Sequence, residues 1–199
     1  MVELGIIQRI GRGVFTLGKT LKYKPELSSD LIKEYNKIKS NFPFIELCIW
    51  NTSTINEFSQ HQSNRDFIII ETEKDTNESV FYFLKEHYEN VFLDPNRLIL
   101  EQYVFDIPNA IIIKPLLSES PLQEVKKVNT ITIEKMLVDI YCDPDLFIAF
   151  QGNEKKIIYS KAFKKYTINN NKLLRYASRR GRKDEIEKFT LQSIGNNER

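Results

Sequence analysis

Apolar and polar positions alternate with period two across residues 6–17, as IIQRI before a GRG and VFTL after it. Alternation on both sides of a short glycine-flanked turn predicts a β-hairpin. Gly11 and Gly13 can take the positive φ that such a turn needs, and Arg12 sits at the tip. The following GKTLKYKPEL has no period and contains Pro25, so it reads as a linker. SSDLIKEYNKIKSNFP then places Leu31, Tyr35 and Ile38 on one helical face. Ser28 or Ser29 caps that helix, Asp30 suits the positive end of its dipole, and Pro43 ends it. FIELCIWN (44–51) alternates again and predicts a strand, with Phe44, Glu46, Cys48 and Trp50 on one side.

FIIIETE is apolar on both faces, the mark of a central strand. DTNESVFYFLKEHYEN predicts a helix opened by Asp75 and Glu78 at capping-box spacing, with Val80, Phe81, Leu84 and Tyr88 as its apolar face. VFLDP reads as a short strand, NRLILEQYVF as a helix and NAIIIKPL as a second buried strand. From Thr132 the chain turns helical, with a break near Asp143–Pro144 and a stop at Gly181. The expected fold class is α/β (α+β): a mixed sheet flanked by helices, with a helical C-terminal part and a hairpin in front. Residues 1–23 form the hairpin and linker, 24–195 the main domain and 196–199 a polar tail.

Composition adds to this picture in three ways. With 41% hydrophobic and 12% aromatic residues, the 199-residue chain can bury a real core. Its apolar runs, such as FIII and AIII, fall far short of the ~20 residues of a membrane span, and no signal segment opens it, so a cytoplasmic protein without a membrane partner is expected. Cys48 and Cys142 sit in apolar runs without metal-ligand spacing, and only His61 and His87 accompany them. Neither a metal nor another cofactor is expected.

Charge is uneven. The net value is +2, yet residues 161–183 carry nine Lys/Arg and no acid. The first 23 residues are basic as well, through Arg9, Arg12, Lys19 and Lys22 against Glu3. Basic ends around an acidic middle suggest anionic partners, unless the cations only solvate a helix face. A hairpin tipped by Arg12 has the shape of a wing laid against a phosphate backbone. The second patch is Arg175, Tyr176, Arg179, Arg180, Arg182 and Lys183, with 175 and 179 on one helix face. It suits nucleic acid or an acidic protein surface, though a helix C-terminus also favours cations through its dipole.

Candidate catalytic chemistry centres on FIIIETEK. A buried strand ending in Glu71, Glu73 and Lys74, with Glu46 from a neighbouring strand, resembles the nuclease arrangement of metal-holding carboxylates and a water-orienting lysine. The acid–any–lysine spacing is broken here by Thr72. His61 lacks a nucleophile and an orienting third group, and reads as a hydrogen-bonded loop residue. Asp139 is an acid inside an apolar helical run, either satisfied on its own helix or anchoring a nearby arginine. Neither GxGxxG nor GxxxxGK[ST] occurs, which disfavours a nucleotide-dependent enzyme.

LGIIQRIGRGVFTL resembles the end of the recognition helix and the wing of the AbiEi-type antitoxins of type IV toxin–antitoxin systems. IIIKPLLSESPLQ, TITIEKMLVDIYCDPDLF and NKLLRYASRRGRK look like segments of a related bacterial family. The resemblance implies a non-catalytic, DNA-binding autorepressor that neutralises a nucleotidyltransferase-like toxin encoded by an adjacent gene. The positions matching the wing are Arg9, Gly11, Arg12 and Gly13, with Lys19 just beyond. In that family reader helices precede the wing, so the expectation is a member whose winged helix is truncated before Met1. Two other readings stand beside it: a divergent metal-dependent nuclease, and a protein–protein module whose hairpin pairs with another chain.

Overall fold

A computed structural model describes residues 7–11, 14–17, 21–63 and 65–195. The opening hairpin forms as the alternation predicts. β1 (Ile7–Gly11) pairs antiparallel with β2 (Val14–Leu17), Ile7 opposite Leu17, with a register shift between Arg9 and Gly11. The tip residues Arg12 and Gly13, and Lys19 beyond, lie outside the described residues. β1 runs beside the last two helices of the chain.

α1 (Ser29–Asn41) is capped by the Ser28 hydroxyl, which accepts from the Leu31 amide at 3.2 Å. Leu31, Tyr35 and Ile38 are buried together. β3 (Leu47–Asn51) starts three residues later than the expected 44, because Phe44 stands 98% exposed in the turn before it. A 3₁₀ helix, Thr52–Glu57, fills part of the loop to β4 (Phe67–Thr72), which is central as expected. α2 (Asn77–Lys85) begins after a short 3₁₀ turn and has no side-chain cap, so the Asp75–Glu78 capping box does not form. β5 (Val91–Leu93), α3 (Arg97–Ile99, prolonged by a π-helical turn to Val104) and β6 (Ala110–Pro115) complete the sheet.

The sheet order is β3-β4-β6-β5, with β3 antiparallel and the other three strands parallel. The chain steps outward from β4 to β5 and back inward to β6. Crossovers of one hand but opposite direction put their helices on opposite faces. Packing agrees: Val80 and Leu84 of α2 join α1 over Leu47, Ile49, Ile70, Ile111 and Ile113. Leu100 and Val104 pack on the other face with Cys48, Trp50, Ile69 and Ile112. Each fully buried aliphatic side chain contributes about 1.5–3 kcal/mol.

A second hairpin, β7 (Leu122–Val125) and β8 (Val128–Ile131), lies alongside β3. Four helices follow: α4 (Ile133–Cys142), α5 (Asn153–Lys165), α6 (Asn170–Arg179) and α7 (Lys183–Gly195). The Asp143–Pro144 break falls at the end of α4 as expected. At the end of α6, Gly181 takes φ +69 and its amide reaches Ser178 O, while Arg182 N reaches Ala177 O. Those two bonds form a Schellman stop, which needs a residue without a Cβ penalty at that φ.

Candidate functional site

The carboxyl ends of parallel strands are where open α/β sheets place their ligands. Here those ends carry Glu71 and Thr72 of β4, Lys114 of β6 and Asp94 just past β5. Helix α4, capped by the Thr132 hydroxyl, lays Lys135 and Asp139 over Glu71 from one helix face, four residues apart. Lys135 Nζ donates to Glu71 Oε1 at 2.8 Å and to Asp139 Oδ2 at 2.5 Å, and its side chain is 0% exposed. The Tyr176 hydroxyl of α6 donates to Asp139 Oδ1 at 2.8 Å.

From this buried centre the charges run outward in alternating sign. Arg180 lies 3.8 Å from Asp139 Oδ1 and bonds Asp143 Oδ1 at 2.8 Å. Lys114 lies 3.5 Å from Asp143 and 3.8 Å from Asp94, which is solvent-exposed. Asp94 holds φ +37, a conformation that costs a non-glycine residue energy and is kept here by its amide bond to Ile113 O at 2.8 Å.

The electrostatics follow from this geometry. Burial alone would pull the Lys135 ammonium down, but Asp139 and Glu71 together outweigh it and hold the pKa well above its usual value. Burial pushes the Glu71 carboxyl up, against the pull of Lys135. Burial, reinforced by Asp139, also raises the Tyr176 phenol. Glu71 Oε2 has no hydrogen-bond partner among the described residues. Cys48 sits opposite Glu71 in the β3–β4 register, and burial pushes its thiol well up.

The sequence-derived nuclease set does not converge. Glu71 points into the core, whereas Glu73 lies beyond the strand end on the surface, where its carboxylate accepts from the Glu46 amide at 3.3 Å. The Glu46 and Lys74 side chains are exposed away from Glu71. Among the described residues, no three His, Cys, Asp or Glu gather as a metal-binding group.

The basic patch is also rearranged. Tyr176 is buried, so it is not a surface residue between the arginines, and Arg180 is an internal partner of Asp139 and Asp143. Arg179 forms a two-pronged bond to Glu119 at 2.9 and 3.1 Å, Arg175 lies 3.8 Å from the same carboxylate, and Arg182 pairs with Glu185. Lys183 is exposed at the start of α7. The acidic partner of Arg175 and Arg179 comes from the 116–121 loop, sixty residues from Arg179, which the local charge run cannot reveal.

The chain belongs to the family of unknown function DUF6577, whose model matches residues 1–196.

No curated protein matches the chain. Within this DUF6577 chain, Asp139 turns out to anchor a lysine, a tyrosine and an arginine at once. Lys135, Lys114, Asp143 and Asp94 were not legible as site residues. The one available signal was the Lys135–Asp139 spacing inside an otherwise apolar helix. His61 is a loop residue whose Nδ1 lies 3.3 Å from Glu154 Oε2. Glu154 also accepts from the Gln60 and His61 amides. Burial works against the Glu154 charge, yet these donors hold its carboxyl below the usual carboxylate range. A depressed carboxyl adds stability that is present above its unfolded value of about 4.3 and is lost as pH falls through the folded one. Glu154→Gln is therefore expected to lower stability at neutral pH by about 1 kcal/mol, and its difference from the parent should shrink as the solution is acidified. Urea titrations at neutral and at acid pH measure this, and an equal loss at both would contradict it.

Proposed function

We propose that this chain is a non-catalytic, antitoxin-like regulator that acts by binding: it neutralises a nucleotidyltransferase-like partner and, where a full winged helix is present, binds operator DNA. The observation that carries the non-catalytic part is the Glu71–Lys135 pair. The strand-end carboxylate on which the nuclease alternative depends is buried, and its charge is already balanced by an ammonium 2.8 Å away. A metal or a substrate entering there would have to displace a buried lysine, leaving an uncompensated charge. The hairpin supports the DNA part, since β1 and β2 pair antiparallel in the form that a wing takes. No helix among the described residues is long and apolar enough to cross a membrane, which fits action in the cytoplasm.

Co-expression with the product of the adjacent gene tests the reading. The chain is expected to restore growth of cells poisoned by that product, and Glu71→Gln should not gain or lose any DNA cleavage activity. Divalent-metal-dependent cleavage by the purified chain that Glu71→Gln abolishes would overturn the non-catalytic reading in favour of the nuclease one.

A further inference from the structure

With Arg175, Arg179, Arg180 and Arg182 paired to Glu119, Asp139, Asp143 and Glu185, α5 is one of the places where exposed lysines stand without an ion pair among the described residues. Lys156, Ser160 and Lys164 recur at i, i+4 and i+8 and so form one stripe, about 12 Å long at 1.5 Å per residue. Two adjoining depressions of about 550 and 480 Å³ flank it and share Lys161 and Lys164. Asn153, Ser160 and Ser193 line the larger one, where the buried Ser193 hydroxyl donates to Phe189 O at 2.8 Å. Lys165 pairs with Glu57, and Lys161 donates to Ser59 O, but Lys156 and Lys164 are exposed and make no ion pair among the described residues.

The stripe runs toward the segment from Leu21 to Tyr23. At the far end of α5 the Thr167 amide donates to Leu21 O at 3.0 Å, and Tyr23 packs edge-on against Tyr166 at 5.3 Å. The linker that leaves the hairpin, with exposed Lys22, is thus fastened beside Lys164 and Lys165.

We propose that the α5 stripe is a contact line for the phosphodiester backbone of a nucleic-acid duplex, with Lys156 and Lys164 each meeting a phosphate. Exposed ammonium groups on a single helix face suit phosphate oxygens. The depressions offer Phe58 and Ile157 as their only apolar side chains and no exposed aromatic for base stacking, which favours a duplex over a single strand. The inference is independent of the toxin-like partner, which could bind elsewhere on the chain.

The test is fluorescence anisotropy of the full chain with short labelled DNA and RNA duplexes, titrated from about 50 to about 200 mM salt. Both side chains are exposed, so Lys156→Ala/Lys164→Ala should fold normally, which circular dichroism checks. Each phosphate contact contributes about 0.9 to the salt slope, so the double variant should lose about 1.8 of slope. Across that fourfold salt range this means about tenfold less salt sensitivity, and its affinity at low salt should fall by tenfold or more. Unchanged affinity and slope in the folded double variant would overturn the proposal, and so would absence of duplex binding by the parent. Equal competition by polyglutamate would assign the stripe to an acidic protein surface and overturn it as well. Comparable binding of the DNA and RNA duplexes supports backbone recognition, and a strong preference for one narrows the source while leaving the lysine dependence as the criterion.

Discussion

Lys135→Met is expected to destabilise the chain by about 3–5 kcal/mol, the cost of leaving buried carboxylates without their cation. Glu71 and Asp139 both lose their shared donor, and Glu71 already has one oxygen without a partner. Against a usual total of about 5–15 kcal/mol the loss is large enough to show as a lower urea midpoint or as failure to accumulate. The companion variant Glu71→Gln/Lys135→Met/Asp139→Asn removes the charges together and should recover most of the loss, because a neutral buried set carries no uncompensated ion. If Lys135→Met alone were tolerated within about 1 kcal/mol, the cluster would be exchanging with water rather than sealed. The pH dependence has a definite sign. A raised lysine pKa adds stability that is complete below the unfolded value of about 10.4 and is lost only as pH rises through the higher folded value. The parent should therefore lose this contribution only in strong alkali, and Lys135→Met should flatten that limb.

Trp50→Ala should cost a further large amount, about 3–5 kcal/mol. Trp50 projects from β3 and stacks on Phe147, ring centres 5.9 Å apart and 25° from parallel, so it joins the sheet to the segment between α4 and α5. Its removal leaves a cavity between two layers rather than within one, and neither helix nor strand can collapse alone to fill it. Trp50→Phe should cost much less. The ring stack is retained, and the indole N–H that is lost has no partner among the described residues. Trp50 is also the only tryptophan in the chain, so the parent's fluorescence reports on this contact directly. Equal losses for Ala and Phe would mean that the indole N–H, and not the packing, matters.

Local pattern made most of the fold legible and little of its charged interior. The alternation around Gly11, the apolar runs of β4 and β6 and the Ser28 cap each act within a few residues, and each formed. The β7–β8 hairpin was missed because its turn is Lys126–Lys127, two non-glycine residues at positive φ, where such turns usually carry Asn-Gly. The capping box at Asp75 did not form because Lys74–Thr76 coil into a 3₁₀ turn first. The charged cluster escaped for a different reason. Glu71, Lys135 and Tyr176 come from elements forty or more residues apart, and nothing in the spacing of either end predicts their meeting. The same distance hid the neutralisation of the α6 arginines by Glu119, so a run that looks like a free basic patch is largely paired.

A binding role makes one demand that a catalytic role does not: a partner must be held by the folded chain itself, without turnover. Isothermal titration of the purified chain with the purified product of the adjacent gene, the proposed partner, measures this directly. The account predicts a saturable complex that forms equally well with Glu71→Gln. A flat titration with both proteins folded would contradict it.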